Sequence, residues 1–236
     1  MLTKLKLITL FLLTFTLPDD LYSDSLNAVK VFPSPLFLYG KTVKFDVYRD
    51  GQKVGFHTIK FSKKGKNLKV SCTFQLKINL LFFTAYYFNY QSDAIWENEK
   101  LKTIKVHVDD DGETIFIEAI KVDDGMSIKK NSKTTYTGPS IFPTNHWNFK
   151  VLKAKKILNT ITGEINNVSI IKGGKELVKT ERGEIQAMRY IYSGDLETEV
   201  WYDEKGRWVK MKFKGRDGSE ITYQCNKCQG PNRNGK

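Results

Sequence analysis

The sequence predicts a mainly β protein, built as one large curled antiparallel sheet or a partly open β-barrel with one short helix. Three observations carry that reading. Apolar and polar residues alternate at period two through most of the chain, the pattern of strands with one buried and one wet face. The alternating runs are joined by tight turns, many of them Asp-Gly, rather than by helices. No linker and no internal repeat divides the series, and 236 residues suit one domain.

The first segment stands apart. Two lysines in residues 1–6 precede an unbroken run of apolar residues and threonine at 7–17, ended by Pro18, Asp19 and Asp20. That is the arrangement of a secretory signal peptide. The apolar run is too short to span a bilayer, which takes roughly 20 residues. Small residues Ser23 and Ser25 place a cut after Ser25, with a weaker second site at Ala28. An uncleaved N-terminal anchor is the competing reading. The signal peptide at 1–25 is followed by an N-terminal extended segment at 26–41, a single β-rich domain at 42–228 and a flexible tail at 229–236. The expected location is the periplasm.

In the domain, Thr42–Arg49 sets Val43, Phe45 and Val47 on one face and Lys44 and Asp46 on the other. Asp50-Gly51 is a hairpin turn. Residues 53–62 return, with Gly55, His57, Ile59 and Phe61 in step. Asn67–Leu80 is the longest run, with Leu68, Val70, Cys72, Phe74, Leu76, Ile78 and Leu80 alternating with polar residues. At about 3.3 Å per residue it would reach roughly 45 Å, so it should bend or bulge. Strands follow at 84–96, 101–108, 113–121 and 126–130. Residues 145–152 are the helical candidate, with Thr144 or Asn145 as N-cap. Further strands are expected at 155–160, 164–171, 176–179, 185–192, 196–202, 207–214 and 220–225.

The formal net charge of +12 invites a nucleic-acid reading, which the details disfavour. Only six of the 38 basic residues are arginine, the residue of bidentate phosphate and base recognition. The lysines are spread singly along strands, as on a solvated sheet face. An anionic membrane surface remains a partner for them, and nucleic acid does not. The same lysines make a transmembrane barrel a poor fit, because a lipid-facing band does not hold them cheaply.

From Phe45 onward the chain resembles the DUF6134 family of exported proteobacterial proteins of unknown function, and more loosely the exported DUF3108 proteins. The matching pieces are FDVYRDGQKVGFHTIKF at 45–61, YYFNYQSDAIWENEKL at 86–101, DDDGE at 109–113, TNHWN at 144–148, ILNTITGE at 157–164 and WYDEKGRWVKMKF at 201–213. The resemblance implies a periplasmic β-rich domain. It implies no chemistry, since the family carries no assigned catalytic residues.

The motifs that suggest chemistry fall short of it. Cys225 and Cys228 form a Cys-x-x-Cys pair, yet they follow a strand rather than opening a helix, where a redox thiol is activated. A zinc site would need a second ligand pair, and Cys72, His57, His107 and His146 offer none at suitable spacing. A structural disulfide between Cys225 and Cys228 is the best reading in an oxidising compartment. Cys72, on the apolar face of its strand, reads as a small buried hydrophobe. Asp109–Asp111 and Gly112 lack the calcium-loop register, and Gly173-Gly174-Lys175 lacks the phosphate-loop pattern. No metal and no cofactor is called for, and no catalytic residue is assigned.

The ligand-contact candidates are His57, Tyr86, Trp96, His146, Trp147 and Asn148. His57 shares a face with apolar residues, so it is either buried or lines a cavity. Segment 144–148 reads first as a helix cap with a Trp plug closing one end of the sheet, and second as a ligand contact. The best functional expectation is a non-catalytic binding or carrier domain for a hydrophobic or lipid-like ligand, the apolar face of 68–80 and the aromatic strand 86–96 lining the cavity and the 144–152 segment as its lid. A structural envelope protein acting through protein–protein contacts ranks second. An envelope hydrolase using His146 or His57 ranks third.

Overall fold

The computed structural model describes residues 34–80, 83–139 and 141–231. The signal-peptide reading lies outside those residues. The described residues all fall within one compact unit, 32–236. Among them, no helix is long and apolar enough to cross a membrane.

Fifteen strands of the described residues make one sheet. They are β1 Thr42–Arg49, β2 Gln52–Lys64, β3 Asn67–Leu80, β4 Phe83–Glu97, β5 Lys100–Asp110, β6 Glu113–Val122, β7 Gly125–Lys130 and β8 Lys133–Thr137. The second half holds β9 Phe142–Pro143, β10 Lys156–Leu158, β11 Ile165–Thr180, β12 Gly183–Gly194, β13 Thr198–Asp203, β14 Trp208–Lys214 and β15 Glu220–Lys227. The spatial order is β8-β7-β6-β5-β4-β3-β2-β1-β15-β14-β13-β12-β11-β10-β9. Two antiparallel meanders therefore run outward from the β1–β15 pair. Among the described residues, the one parallel ladder is β9 with β10 at one edge. The ladder order leaves β8 and β9 as the two edges, so the sheet is not closed.

The alternation in the sequence becomes the inside and outside of a rolled sheet. Val43, Phe45 and Val47 are buried, as are Val70, Cys72, Phe74 and Leu76. Lys44, Lys60, Lys77, Lys102 and Lys105 are exposed. The curl brings distant strands face to face. Phe74 of β3 meets Tyr223 of β15 at 5.5 Å between ring centroids, and Trp96 of β4 meets Phe142 of β9 at 6.2 Å. The Tyr90 hydroxyl donates to Thr160 Oγ1 at 3.1 Å. The β9–β10 edge is thus tucked against the inner face of β4. Register shifts at Val47/Tyr48, Ile78/Asn79 and Ile95/Trp96 supply part of the bending. The Asp50-Gly51 turn has φ of 48° and 82°, both positive as a two-residue type I′ hairpin demands.

Four sequence expectations change. The helix expected at 145–152 is a 3₁₀ turn at Phe149–Lys153, capped by the Asn148 side chain, which accepts from Lys150 N at 3.1 Å. The preceding backbone has other partners. Thr144 N donates to the Leu158 carbonyl, and the His146 and Trp147 carbonyls accept from Tyr202 and Tyr39 hydroxyls. The segment expected to be extended contains helix α1, Pro35–Tyr39, with Ser34 as its N-cap and Pro35 in its first turn. The strands expected at 164–171 and 176–179 are one strand, β11, whose register shifts between Lys172 and Lys175 across the two glycines. Finally, the start of the expected tail is docked. Gln229 is buried, its side chain accepts from Thr180 Oγ1, and its carbonyl accepts from Arg207. Gly230 sits at φ 68°, where an added Cβ would lie 2.3 Å from the Leu38 carbonyl oxygen, so only glycine permits this approach to α1.

Candidate functional site

The rolled sheet lines a cavity of about 780 Å³ that is open to solvent at one end, within the usual size range for ligand pockets. Its layers follow from the register. At the floor, His57 pairs with Phe74 and Phe74 with Tyr90. Two residues nearer the mouth, Leu76 pairs with Phe88, and two further on Ile78 pairs with Tyr86. On the other side of β1, Trp208, Met211, Tyr223, Phe213 and Ile221 complete the lining. Period two places these side chains inward, and the register shift of β14 against β13 between Trp208 and Lys210 brings Trp208 onto the same face as Met211 and Phe213.

The mouth is charged, and part of that charge is paired internally. Arg49 meets Asp217 at 2.7 Å. Asp110 accepts from the Tyr86 hydroxyl at 2.6 Å and from Arg216 at 2.8 Å, linking β5 to the β14–β15 turn. Asp195, which also lines the cavity, accepts from the Asn167 backbone N–H and side chain. Beyond the floor, aromatic rings fill the interior. Trp147 stands edge-on to Phe61 at 5.4 Å and to Trp96 at 5.3 Å, and Tyr39 stacks on Phe61 at 5.7 Å.

The floor itself is polar in places. His57 and His146 both line the cavity and pack on the same indole, with ring centroids 5.7 Å and 5.6 Å from Trp208. Nδ1 of each ring is buried without a hydrogen-bond partner, and so is Nδ2 of Asn145. Burial pushes His57 down to about 3, helped by its neighbour His146. Burial alone pushes His146 down to about 4. Both rings are therefore neutral at pH 7. The nearby hydroxyls differ. Tyr90, Thr160 and Thr144 bond to one another.

Of the six residues singled out from sequence, His57, Tyr86 and His146 line the cavity. Trp96 and Trp147 pack against each other behind the floor, so they are core. Asn148 caps the 3₁₀ turn. Segment 144–146 contributes to the floor rather than covering the mouth as a lid. Sequence reasoning placed Phe74 on a cavity-lining face, where it lies, but did not single out Trp208, Tyr223 or Met211. Their signal was only the strand alternation, which marks a residue as inward without saying whether space lies in front of it.

The cysteines form a separate cluster. Cys225 and Cys228 are joined in a disulfide, and Cys72 is free and buried. Glu181 accepts from the N–H groups of Cys228 at 3.1 Å and Gln229 at 2.9 Å. The three side chains converge closely enough to hold a metal ion. With the two sulfurs bonded to each other, no thiolate is available to serve as a ligand.

The family model described as Domain of unknown function (DUF6134) matches residues 45–226. The chain belongs to the DUF6134 family. The match begins at Phe45 on β1 and ends within β15, so it spans the rolled sheet and its cavity. A comparison with curated proteins finds no match. Among solved structures, this DUF6134 chain is similar to the crystal structure of a beta-barrel-like protein of domain of unknown function DUF1849 from Brucella abortus. The TM-score is 0.57 at 9% identity, over 80% of this chain and 96% of that one. That likeness concerns the fold alone.

Proposed function

We propose that this DUF6134 protein is an exported, non-catalytic binding or carrier domain for a hydrophobic or lipid-like ligand. The observation that supports it is the cavity of about 780 Å³, apolar along Phe74, Leu76, Phe88 and Met211 and open at a charged mouth. Apolar space of that size stands out against protein interiors, which otherwise pack to the density of organic crystals. Export fits the basic and then apolar start of the sequence. It also fits the Cys225–Cys228 disulfide, since such bonds persist in oxidising compartments.

The hydrolase reading gains nothing from the two histidines. A catalytic base is oriented by a third group, and neither Nδ1 has one. Protein–protein contact keeps one observation in its favour. Phe116, Ile120 and Val122 of β6 and Tyr136 of β8 are exposed near one edge of the sheet.

The test is native mass spectrometry and solvent extraction of protein purified from the envelope. A bound apolar compound is expected in the wild type and is expected to be lost in Leu76→Trp, which fills the cavity. Protein free of any such compound in both forms, after incubation with total lipid extract, would sink the reading.

A further inference from the structure

We propose that the cavity takes its ligand polar end first, and that this end is an uncharged oxygen group, a hydroxyl or a carbonyl, held at the floor by His57, His146 and Asn145. The inference rests on the binding reading above and narrows it to neutral single-chain amphiphiles.

Three features of the floor converge on this. The first is a deficit. His57 Nδ1, His146 Nδ1 and Asn145 Nδ2 are buried without partners on the protein. A buried polar group left unmade is costly, so these three polar side chains are kept at the floor against a local penalty. His146 and Asn145 are only 5% and 8% exposed, so bulk solvent does not serve them. An imidazole has a second nitrogen on its other edge. The unpaired Nδ1 atoms are shut off from the cavity, so the rings that line it offer a ligand their other nitrogen, Nε2.

The second feature is the charge at the floor. Both imidazoles are neutral, and each would repel the other if both were charged. No lysine or arginine lines the floor, because Arg49, Lys214 and Arg216 stand at the mouth. A carboxylate or phosphate driven to the floor would lose its water with no cation to compensate it. A hydroxyl or carbonyl loses far less, and it can exchange hydrogen bonds with neutral imidazole and amide groups.

The third feature is the mouth. Its guanidinium groups are already taken, Arg49 by Asp217 and Arg216 by Asp110. Asp195, Glu197 and Asp217 stand at the same mouth, so an anionic headgroup resting there would meet carboxylates as well as cations. The middle layer, Leu76 and Phe88 facing Met211 and Tyr223, is apolar except for the Tyr223 hydroxyl and suits the chain of the ligand.

The experiment is displacement of the dye N-phenyl-1-naphthylamine by three probes of equal chain length: decane, 1-decanol and decanoate at pH 8. A purely apolar cavity would hold decane more tightly than 1-decanol, because burying an unpaired hydroxyl is unfavourable. The proposal expects the reverse, with 1-decanol tighter by about tenfold or more and decanoate weaker than 1-decanol. His57→Phe and His146→Leu should each abolish that preference while leaving decane binding in place. Should either variant fail to fold, the wild type still decides the matter. The imidazole 15N resonances should move with 1-decanol and not with decane. If decane and 1-decanol both bind and decane is equal or tighter, or the 15N resonances stay fixed, the polar-end-first inference is wrong and the carrier reading stands. If no probe displaces the dye because the dye itself does not bind, both fall.

Discussion

The Tyr39 hydroxyl donates to the Trp147 carbonyl oxygen at 3.1 Å, joining residues 108 positions apart. The Tyr39 phenol oxygen in turn accepts from the Trp208 backbone N–H at 2.8 Å. One phenol on α1 therefore ties the segment behind the cavity floor to the strand that carries the central indole. Burial holds this phenol well above its ordinary pKa, so it stays a donor at all working pH values. Tyr39→Phe would strand a buried carbonyl and a buried N–H together. The expected loss of stability is about 3 kcal/mol, read as a lower urea midpoint with an unchanged slope. A loss near zero would mean that the two groups find water or each other.

Acid sensitivity follows from the two histidines at the floor. An unfolded histidine titrates near 6.5. The folded rings are pushed down to about 3 for His57 and about 4 for His146. Below pH 6.5 the unfolded chain binds protons that the folded chain refuses, so stability must fall as pH drops. The contribution is complete above pH 6.5 and declines until the folded rings titrate near 4 and then 3. Each ring contributes a slope of up to about 1.4 kcal/mol per pH unit in that window. His57→Phe should remove its share, so the urea-derived stability of the variant should vary less between pH 6 and pH 4.5 than that of the wild type. Identical pH slopes would show that His57 is solvated in the folded protein.

Much of the fold could be read from residues alone, and the exceptions have physical causes. The strands β1 and β3 run over the residues that strict alternation marked. Strand β8 was missed because Lys133–Thr137 is an exposed edge with no apolar face to alternate. Helix α1 was missed because five residues, PLFLY, are too few to show a period. The 3₁₀ turn replaced a full helix because tertiary partners claim the backbone of 144–147. At the site, His57 stood out as the one titratable residue in an otherwise apolar stripe, and it does line the cavity. Trp96 and Trp147 looked equally suggestive and are core, since aromatic content does not distinguish a packed interior from a lined one.

The cysteines should report the packing of the two chemical environments. Burial pushes the Cys72 thiol up to about 12, with Ser92 the main opposing contact. Native protein should therefore show no reactive thiol at pH 8, and one thiol after unfolding without reductant. The Cys225–Cys228 bond closes a very short loop, so its removal in Cys225→Ala/Cys228→Ala should cost only about 2 kcal/mol. Glu181 still has the N–H groups of Cys228 and Gln229 to hold in that variant. Circular dichroism and a urea titration check both points. A variant that fails to fold would make the disulfide, rather than the sheet, the keystone of the C-terminal strand.

The cavity between the two meanders is the centre of this account, and one titration addresses it directly. N-phenyl-1-naphthylamine is added to folded wild-type protein and to Leu76→Trp and Met211→Trp, each of which places an indole in the cavity lined by the residue it replaces. The expected result is a saturable, single-site fluorescence rise in the wild type that is lost in both filled variants, while their far-ultraviolet spectra stay unchanged. A wild-type signal that never saturates, or one that survives in both filled variants, would contradict the cavity as the place where this protein does its work.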